Sequence, residues 1–591
     1  MGFIIGIQVG FTSGVAIYES GEILYAASEE RFSREKNDTQ WPSRAIEYAI
    51  DKYDIAPTKI EKVVLASKNI FPREYLCKSH KYSVKDYIRE QNEYFKPMLL
   101  GEGKKKTYFD IFSDKVDVED SLYKDVIKEG EGNCAEIWNE WRIQKAIEAF
   151  GIDRERVYIA NHEYAHAAYG IYGSKFNNYD DVMCVVIDGF GDECNASIYA
   201  VENNHIVQKK AYTNFNIGRI YRYITLLLGM KPNEHEFKVM GLAPYANEYT
   251  YKDSLSVFRK AYKFENGEIS IDEELHDNYF YFLERLQGER FDGIAAGLQI
   301  HTEEITSELV KYWMTLLGKH KLVISGGVGL NIKANMNLGK LDCVHDLFVV
   351  GSSGDESLCI GAIFEWLDKQ GRANEIHMLN SLYLGNEVED ELEAIESVDR
   401  NKYEIYYNPT NQQIAKMIAD GYILGRVVGR MEFGARALGN RSILADPRKR
   451  ATVDIINSKI KNRDFWMPFT PSILEGEEER FLYNPKGFDY PYMSISCETT
   501  DEGRRCLEAA IHPADKTARP QIVSPTSNRS YYELINEFKT ITGVGALLNT
   551  SLNLHGFPIV RTAAEGLYVL DNSDLDGLIL TNHLIIKKTS M

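Results

Sequence analysis

Two histidines one helical turn apart give the first chemical signal in this chain. His162 and His166 fall in Asn161-His162-Glu163-Tyr164-Ala165-His166, which follows the apolar run Val157 to Ala160 and opens a helix expected to run through Tyr172. At that spacing the imidazoles share one helical face, roughly 5 to 6 Å apart, which suits chelation of a single divalent ion. The same residues complete His-Glu-x-x-His, in which the glutamate of a zinc metalloprotease serves as general base. The rest of the chain has to say which chemistry such an ion would serve.

Further candidates follow. Val323-Ile324-Ser325 reads as a strand feeding the turn Gly326-Gly327-Val328-Gly329-Leu330-Asn331 and then a helix. Such a turn lets backbone N–H groups approach a phosphate at a helix N-terminus. The Walker lysine is missing, which excludes a P-loop. Asp355, in Gly351-Ser352-Ser353-Gly354-Asp355-Glu356, is either a helix N-cap or a carboxylate offered to a metal held elsewhere. Lys238, in Glu234-His235-Glu236-Phe237-Lys238-Val239-Met240-Gly241, either ends a helix or faces a phosphate.

Cations crowd the last third of the chain. Arg430, Arg436 and Arg441 fall within twelve residues between glycines, followed by Lys461-Asn462-Arg463 and Thr517-Ala518-Arg519-Pro520-Gln521. Cations set among glycine, aromatic and apolar residues are costly unless an anion neutralises them, and phosphate-bearing ligands are the economical explanation. Leu547-Leu548-Asn549-Thr550-Ser551-Leu552-Asn553 reads as a strand ending in small hydrogen-bonding side chains, either a capped turn or part of a site.

These residues need a large scaffold. At 591 residues the chain exceeds one hydrophobic core, and 44% hydrophobic with 26% charged residues is ordinary for a folded protein. A net charge of -19, from 87 acidic and 68 basic residues, disfavours nucleic acid as a partner. Eight scattered cysteines without a Cys-x-x-Cys pair read as buried thiols in a reducing compartment. The start, Met1 to Ile7, reads as a strand rather than a signal peptide, and no apolar run reaches the length of a membrane span, so a soluble cytoplasmic protein is expected.

The first thirty residues hold a strand (Phe3 to Val9), a turn (Gly10 to Gly14) and a hairpin (Val15 to Tyr18, Ile23 to Ala27). The same grammar returns at Val182 to Ile187, Asp188-Gly189-Phe190-Gly191-Asp192, Ala196 to Val201 and Ile206 to Lys209. Two copies point to an internal duplication of the actin-like ATPase kind, with ligands between the halves. Residues 70 to 135 read as a solvated helical insertion, with a lid or acceptor-binding element as the functional alternative. The polar, acidic stretch 370 to 402 is where a domain boundary is expected, giving an α/β chain divided into 1–400 and 401–591.

Taken together, these motifs resemble the NodU/CmcH O-carbamoyltransferases. The resemblance rests on Glu29-Glu30-Arg31-Phe32-Ser33-Arg34 with Lys36, the His162/His166 pair, Lys238 to Tyr245 and Gly354-Asp355-Glu356. It continues through Arg430-x-Glu432-x-Gly434-x-Arg436-Ala437-Leu438-Gly439-x-Arg441-Ser442, Arg519-Pro520-Gln521 and Leu548-Asn549-Thr550-Ser551, in the family's order. It implies a duplicated actin-like (ASKHA) N-terminal domain similar to the tRNA threonylcarbamoyl transferase and a YrdC-like C-terminal α/β domain. It also implies transfer of a carbamoyl group from carbamoyl phosphate, by way of ATP with Mg2+ and a carbamoyladenylate, to a hydroxyl of a small molecule such as a secondary metabolite.

Carried over residue by residue, the resemblance assigns a divalent metal, Fe(II) first and Mn(II) or Zn(II) as alternatives, to His162, His166, Asp188 and Asp355. Catalytic roles fall to Lys36, Lys461, Arg463 and Arg519, and ligand-binding roles to Lys238, Gly326, Gly327, Asn331, Arg430, Arg441, Asn549 and Ser551. One departure stands out. The family's His-Asp pair after the first strand is here Phe11-Thr12, and neither can act as a general base. Either another residue deprotonates the acceptor, the acceptor is unusually nucleophilic (an amine, for example), or transfer is poor.

Two rival readings are the zinc metalloprotease, which lacks the downstream His-x-x-Gly-x-x-His extension, and a tRNA-modifying threonylcarbamoyl-type transferase, which the charge disfavours. A homodimer is the base-rate expectation for assembly.

Overall fold

The computed structural model describes residues 2–69, 72–129, 134–461 and 464–588. The chain divides into two compact units, one of Met1–Glu29 with Asn37–Leu379 and one of Glu30–Lys36 with Asn380–Met591.

The first unit contains the repeated grammar as two sheets of the same order. One runs Glu22–Ser28, Gly14–Glu19, Phe3–Gln8, Ile60–Leu65, Val157–Ile159, and the other His205–Tyr212, Ala196–Glu202, Val182–Ile187, Lys321–Ser325, Asp346–Val349. In each, an antiparallel hairpin precedes two parallel pairings. Strands buried on both faces need near-continuous apolar residues, and Phe3–Gln8 and Val182–Ile187 are buried throughout.

Two helices matter most for the site. The helix His162–Tyr172 is buried along its whole length, and Leu358–Lys369 packs beside it. Gly361 sets their separation, because a Cβ there would lie 2.2 Å from the carbonyl oxygen of Ala165. Gly361→Ala is therefore expected to cost about 1 to 3 kcal/mol by overpacking, read as a lowered denaturation midpoint, because backbone rather than a flexible side chain has to give.

The insertion is helical, with segments at Arg73–Leu76, Val84–Arg89, Tyr108–Ile111 and Ser121–Glu129. It is not simply a solvated elaboration. Tyr82 stacks on Phe112 at 4.8 Å, Tyr108 packs 4.9 Å from the same ring, and Arg73 lies 5.1 Å over Tyr108, giving the segment an aromatic core of its own.

The second unit is built on an eight-stranded sheet of order Tyr403–Tyr407, His583–Lys587, Gly577–Ile579, Leu424–Val427, Arg441–Ala445, Ala546–Ser551, Thr470–Leu474, Gln521–Val523. Its core gathers Ile443, Leu548, Leu552, Val560, Leu578 and Ile585. The division between units falls at Leu379/Asn380, inside the polar stretch 370 to 402. The reason is a backbone ladder: Gly385 N–H donates to Met431 O, Met431 N–H to Asn386 O, and Phe433 N–H to Leu382 O. This ties the polar segment to the second unit.

Residues 30–36 join the second unit by side-chain bonds to backbone. Arg31 donates to Gly434 O at 2.8 Å, and Arg34 donates to Ile559 O at 2.8 Å and Pro558 O at 2.9 Å. Lys36, half-buried, belongs to this unit although it precedes most of the first in sequence.

Candidate functional site

His162, His166, Asp188 and Asp355 converge although they come from three distant segments. One ligand atom of each lies within 4.8 Å of the others. His162 Nε2 is 3.8 Å from Asp188 Oδ2 and 3.9 Å from Asp355 Oδ1, and His166 Nε2 is 3.3 Å and 3.7 Å from the same two oxygens. Ligand bonds of about 2.1 Å to a common ion put neighbouring donor atoms about 3 to 4 Å apart, so these separations suit a shared cation. Both Nε2 atoms are buried without a hydrogen bond.

The outer contacts orient the ligands. His162 Nδ1 is 2.9 Å from Ser67 Oγ and His166 Nδ1 is 3.5 Å from Ser325 Oγ, so Nδ1–H donated to each hydroxyl leaves the Nε2 lone pair facing the cluster. Asp188 accepts from the N–H groups of Gly189 (2.6 Å) and Gly327 (2.9 Å). Gly326 has φ +85°, and a Cβ there would lie 2.5 Å from Ile187 O, so the glycine turn exists to bring that N–H onto the carboxylate.

The helix carrying the two histidines starts among acids. Asn161 caps it by accepting from Tyr164 N–H at 2.9 Å, Asp192 accepts from His162 N–H at 2.8 Å, and Glu365 accepts from Asn161 N–H at 2.9 Å. Ser67, Ser325, Asp192 and Glu365 were not singled out from sequence. The second Asp of the Asp188-Gly189-Phe190-Gly191-Asp192 turn was the one available signal.

Burial favours neutral imidazole at His162, but the carboxylates of Asp188 and Asp355 outweigh it and push the pKa up to about 10. His166 is raised against the same burial by the same carboxylates. Asp188, also opposed by burial, is held well below the usual carboxylate range by the two imidazoles. Because the His162 pKa lies above its ordinary 6.5, this attraction stabilises the metal-free fold fully below pH 6.5 and is lost as pH rises through about 10. Metal affinity runs the other way, since binding expels the proton. A chelator-competition titration is expected to show affinity rising at least about tenfold per pH unit between about pH 7 and 9.

Glu163 is not placed as a protease base. Its Oε1 accepts from the N–H groups of Glu193 (2.8 Å) and Cys194 (3.0 Å), and the residue is buried, so it holds the turn after Asp188. Asn331 caps the helix Ile332–Lys340 and exchanges two 3.0 Å amide bonds with Gln299. Gly327 donates its N–H to Asp188. Lys238 sits half-buried in the first turns of Glu236–Leu242. Phe11 and Thr12 occupy the turn after the first strand, with Thr12 buried at φ 58°.

In the second unit, Lys461 Nζ donates to the backbone and hydroxyl oxygens of Ser551, and to Asn553 O (3.2 Å) and Oδ1 (2.6 Å). Asn549 lies on the same strand as Ser551, and its Nδ2 donates to Ala437 O (3.2 Å) and Ser472 Oγ (3.0 Å). Its Oδ1 is buried with no donor facing it among the described residues. Arg519 leads into the edge strand Gln521–Val523, which Thr470–Leu474 separates from the Asn549 strand, and Arg430 donates to Leu384 O at 2.6 Å and Gly385 O at 3.3 Å.

Arg441 departs from the expected ligand role. It is fully buried, and its donors go to the carbonyls of Val428, Gly429, Asn440, Asn386 and Arg561, a scaffold function; burial lowers its pKa to about 10. Glu432, unassigned from sequence, orders the same loop by accepting from Leu438, Asn440 and Arg441 N–H. Arg463 lies outside the described residues.

A duplicated α/β unit holding two imidazoles and two carboxylates is thus joined in one chain to a second α/β unit whose sheet carries Asn549. Residues 3–364 match the family model described as Carbamoyltransferase N-terminus, and residues 415–587 match Carbamoyltransferase C-terminus. The chain belongs to the carbamoyltransferase family. It is 32% identical to protein MJ1058 of Methanocaldococcus jannaschii, covering 74% of this chain and 75% of that one. It is 31% identical to nodulation protein NolO of Bradyrhizobium diazoefficiens, over 72% of this chain and 79% of that protein. It is also 31% identical to nodulation protein NolNO of Sinorhizobium fredii, over 74% of this chain and 65% of that protein. Among the described residues no helix is long and apolar enough to cross a membrane.

Proposed function

We propose that this chain is an ATP-dependent carbamoyltransferase with two half-reactions. In the second unit, of YrdC-like type, carbamoyl phosphate, ATP and water give carbamoyladenylate, phosphate and pyrophosphate. In the first unit, of actin-like type, the carbamoyl carbon of that mixed anhydride accepts a small-molecule hydroxyl, the C–O bond to AMP breaks, and the acceptor proton is lost. The observation that carries this reading is the His162, His166, Asp188 and Asp355 cluster in a chain of the carbamoyltransferase family.

The second unit's residues suit small, charged substrates. The orphaned Asn549 Oδ1 can accept from a carbamoyl NH2, while its Nδ2 is fixed by Ala437 and Ser472. Lys461, held by the oxygens of Ser551 and Asn553, supplies a positive charge for a phosphate, and Lys36, Arg430 and Arg519 would add to it. Arg463 is proposed for the same role on its motif alone.

In the first unit His162, His166, Asp188 and Asp355 would hold a divalent ion, Fe(II), Mn(II) or Zn(II). When bound, that ion supplies Lewis-acid polarisation of the group being transferred. Ser67 and Ser325 fix the imidazole tautomers, and Gly327 N–H fixes the Asp188 carboxylate. Lys238 would face the nucleotide's phosphate.

Pyrophosphate release from ATP tests the reading. Release that requires carbamoyl phosphate and no acceptor is expected from the purified protein. Absence of release with iron and magnesium supplied would overturn the activation step.

A further inference from the structure

The helix Ile217–Leu227 carries two arginines, Arg219 and Arg222, whose charges have no acidic partner at bonding distance among the described residues. Arg219 donates from Nε to Gly189 O at 2.7 Å, and its guanidinium lies 4.2 Å over the ring of Phe190. Arg222 lies 5.5 Å from the same ring, 5.7 Å from Tyr87 and 5.5 Å from Tyr223, and its Nε is buried with no acceptor. A guanidinium has five N–H donors. Among the described residues the pair makes one such bond, in a protein of net charge -19 where carboxylates abound.

The pair stands beside the metal-ligand cluster. Gly218 packs directly on the Asp188-Gly189 backbone, its absent Cβ leaving 3.1 Å to Gly189 N and 3.3 Å to Asp188 C. Phe190, 43% exposed, is two residues beyond Asp188. Tyr87 comes from the insertion. Glu74 and Glu90, also from the insertion, feel the Arg222 charge without pairing with it, and Glu90 Oε1 accepts instead from Tyr108 Oη at 2.9 Å.

We propose that Arg219 and Arg222, with Phe190 and Tyr87, form an acceptor subsite that binds an oxyanion, carboxylate or phosphate, carried by the molecule that receives the carbamoyl group. This rests on the carbamoyl-transfer reading above. Two guanidinium groups flanked by rings offer a fork geometry for an oxyanion and a flat surface for the frame that bears it. Two nearby cations would also favour ionisation of the acceptor hydroxyl, in a chain whose Phe11 and Thr12 supply no base. An oxyanion could equally belong to the nucleotide, so the test separates the two.

The full-length protein is titrated calorimetrically with phenyl phosphate and, separately, with AMP, as native chain, Arg222→Gln, Arg222→Lys and Arg219→Gln. Thermal midpoints confirm that each variant is folded, and Arg219→Gln keeps the test alive if Arg222→Gln is not. The expected result is phenyl phosphate binding weakened at least about tenfold by either Gln variant, less by Arg222→Lys, with AMP binding unchanged. Weakening confined to AMP, or shared equally by both probes, would overturn the acceptor assignment. No weakening of either would overturn the subsite. Pyrophosphate release by the native chain tests the underlying reading separately: Arg222-dependent phenyl phosphate binding without carbamoyl phosphate-dependent release would remove the acceptor role but leave an oxyanion site.

Discussion

His166→Ala is expected to empty the metal site while sparing the activation step. The residue is fully buried and offers its Nε2 to the cluster, so truncation removes one of the four proposed ligands and leaves Asp188 beside an unfilled space. Bound metal after dialysis should fall well below the native stoichiometry, and transfer to any acceptor the native chain uses should drop on the order of a hundredfold or more. Pyrophosphate release dependent on carbamoyl phosphate should persist. Loss of that release together with the metal, in a variant that remains folded, would contradict a division of labour between the units.

Lys461→Ala is expected to do the reverse. Its ammonium is buried against Ser551 and Asn553, where it offsets their carbonyl, hydroxyl and amide oxygens next to a phosphate. Removing one charge-assisted donor of this kind costs on the order of a hundredfold or more in rate, read as pyrophosphate release. Metal content should equal that of the native chain. Asn553 and Ser551 keep a mutual 2.7 Å hydrogen bond, so the local fold has a remaining anchor.

Parts of this architecture are legible in the residues themselves. The strand, turn and hairpin grammar of the first thirty residues and of 182–209 is visible because each strand is a short apolar run closed by small turn residues. The pairing of His162 with His166 is equally local, since helical spacing alone puts them on one face. What joins Asp188 and Asp355 to them is sheet order, and periodicity carries no trace of which strand ends meet.

Arginine roles were harder to read. Arg441 among glycines looks like a ligand-binding cation, yet five carbonyl groups take up its donors. Arg219 and Arg222, in the ordinary amphipathic run Ile217-Gly218-Arg219-Ile220-Tyr221-Arg222, show no motif and become visible only because no carboxylate among the described residues pairs with them and Arg222 Nε is buried without an acceptor. Sequence reports which charges are present, whereas their satisfaction depends on carbonyls and carboxylates hundreds of residues away.

The assignment of residues 30–36 to the second unit has a practical consequence for dissecting the protein. A fragment beginning at Asn380 would be born without Arg31, Arg34 and Lys36, leaving the carbonyls of Gly434, Pro558 and Ile559 without their guanidinium donors. The two units are therefore interlaced along the chain rather than strung end to end. A ribosome making this protein supplies the first piece of the second unit some 350 residues before the remainder, far enough ahead that the segment has to wait for its own sheet. Splitting the gene at residue 380 is expected to need a peptide spanning 30–36 added in trans to restore the C-terminal fragment's thermal stability.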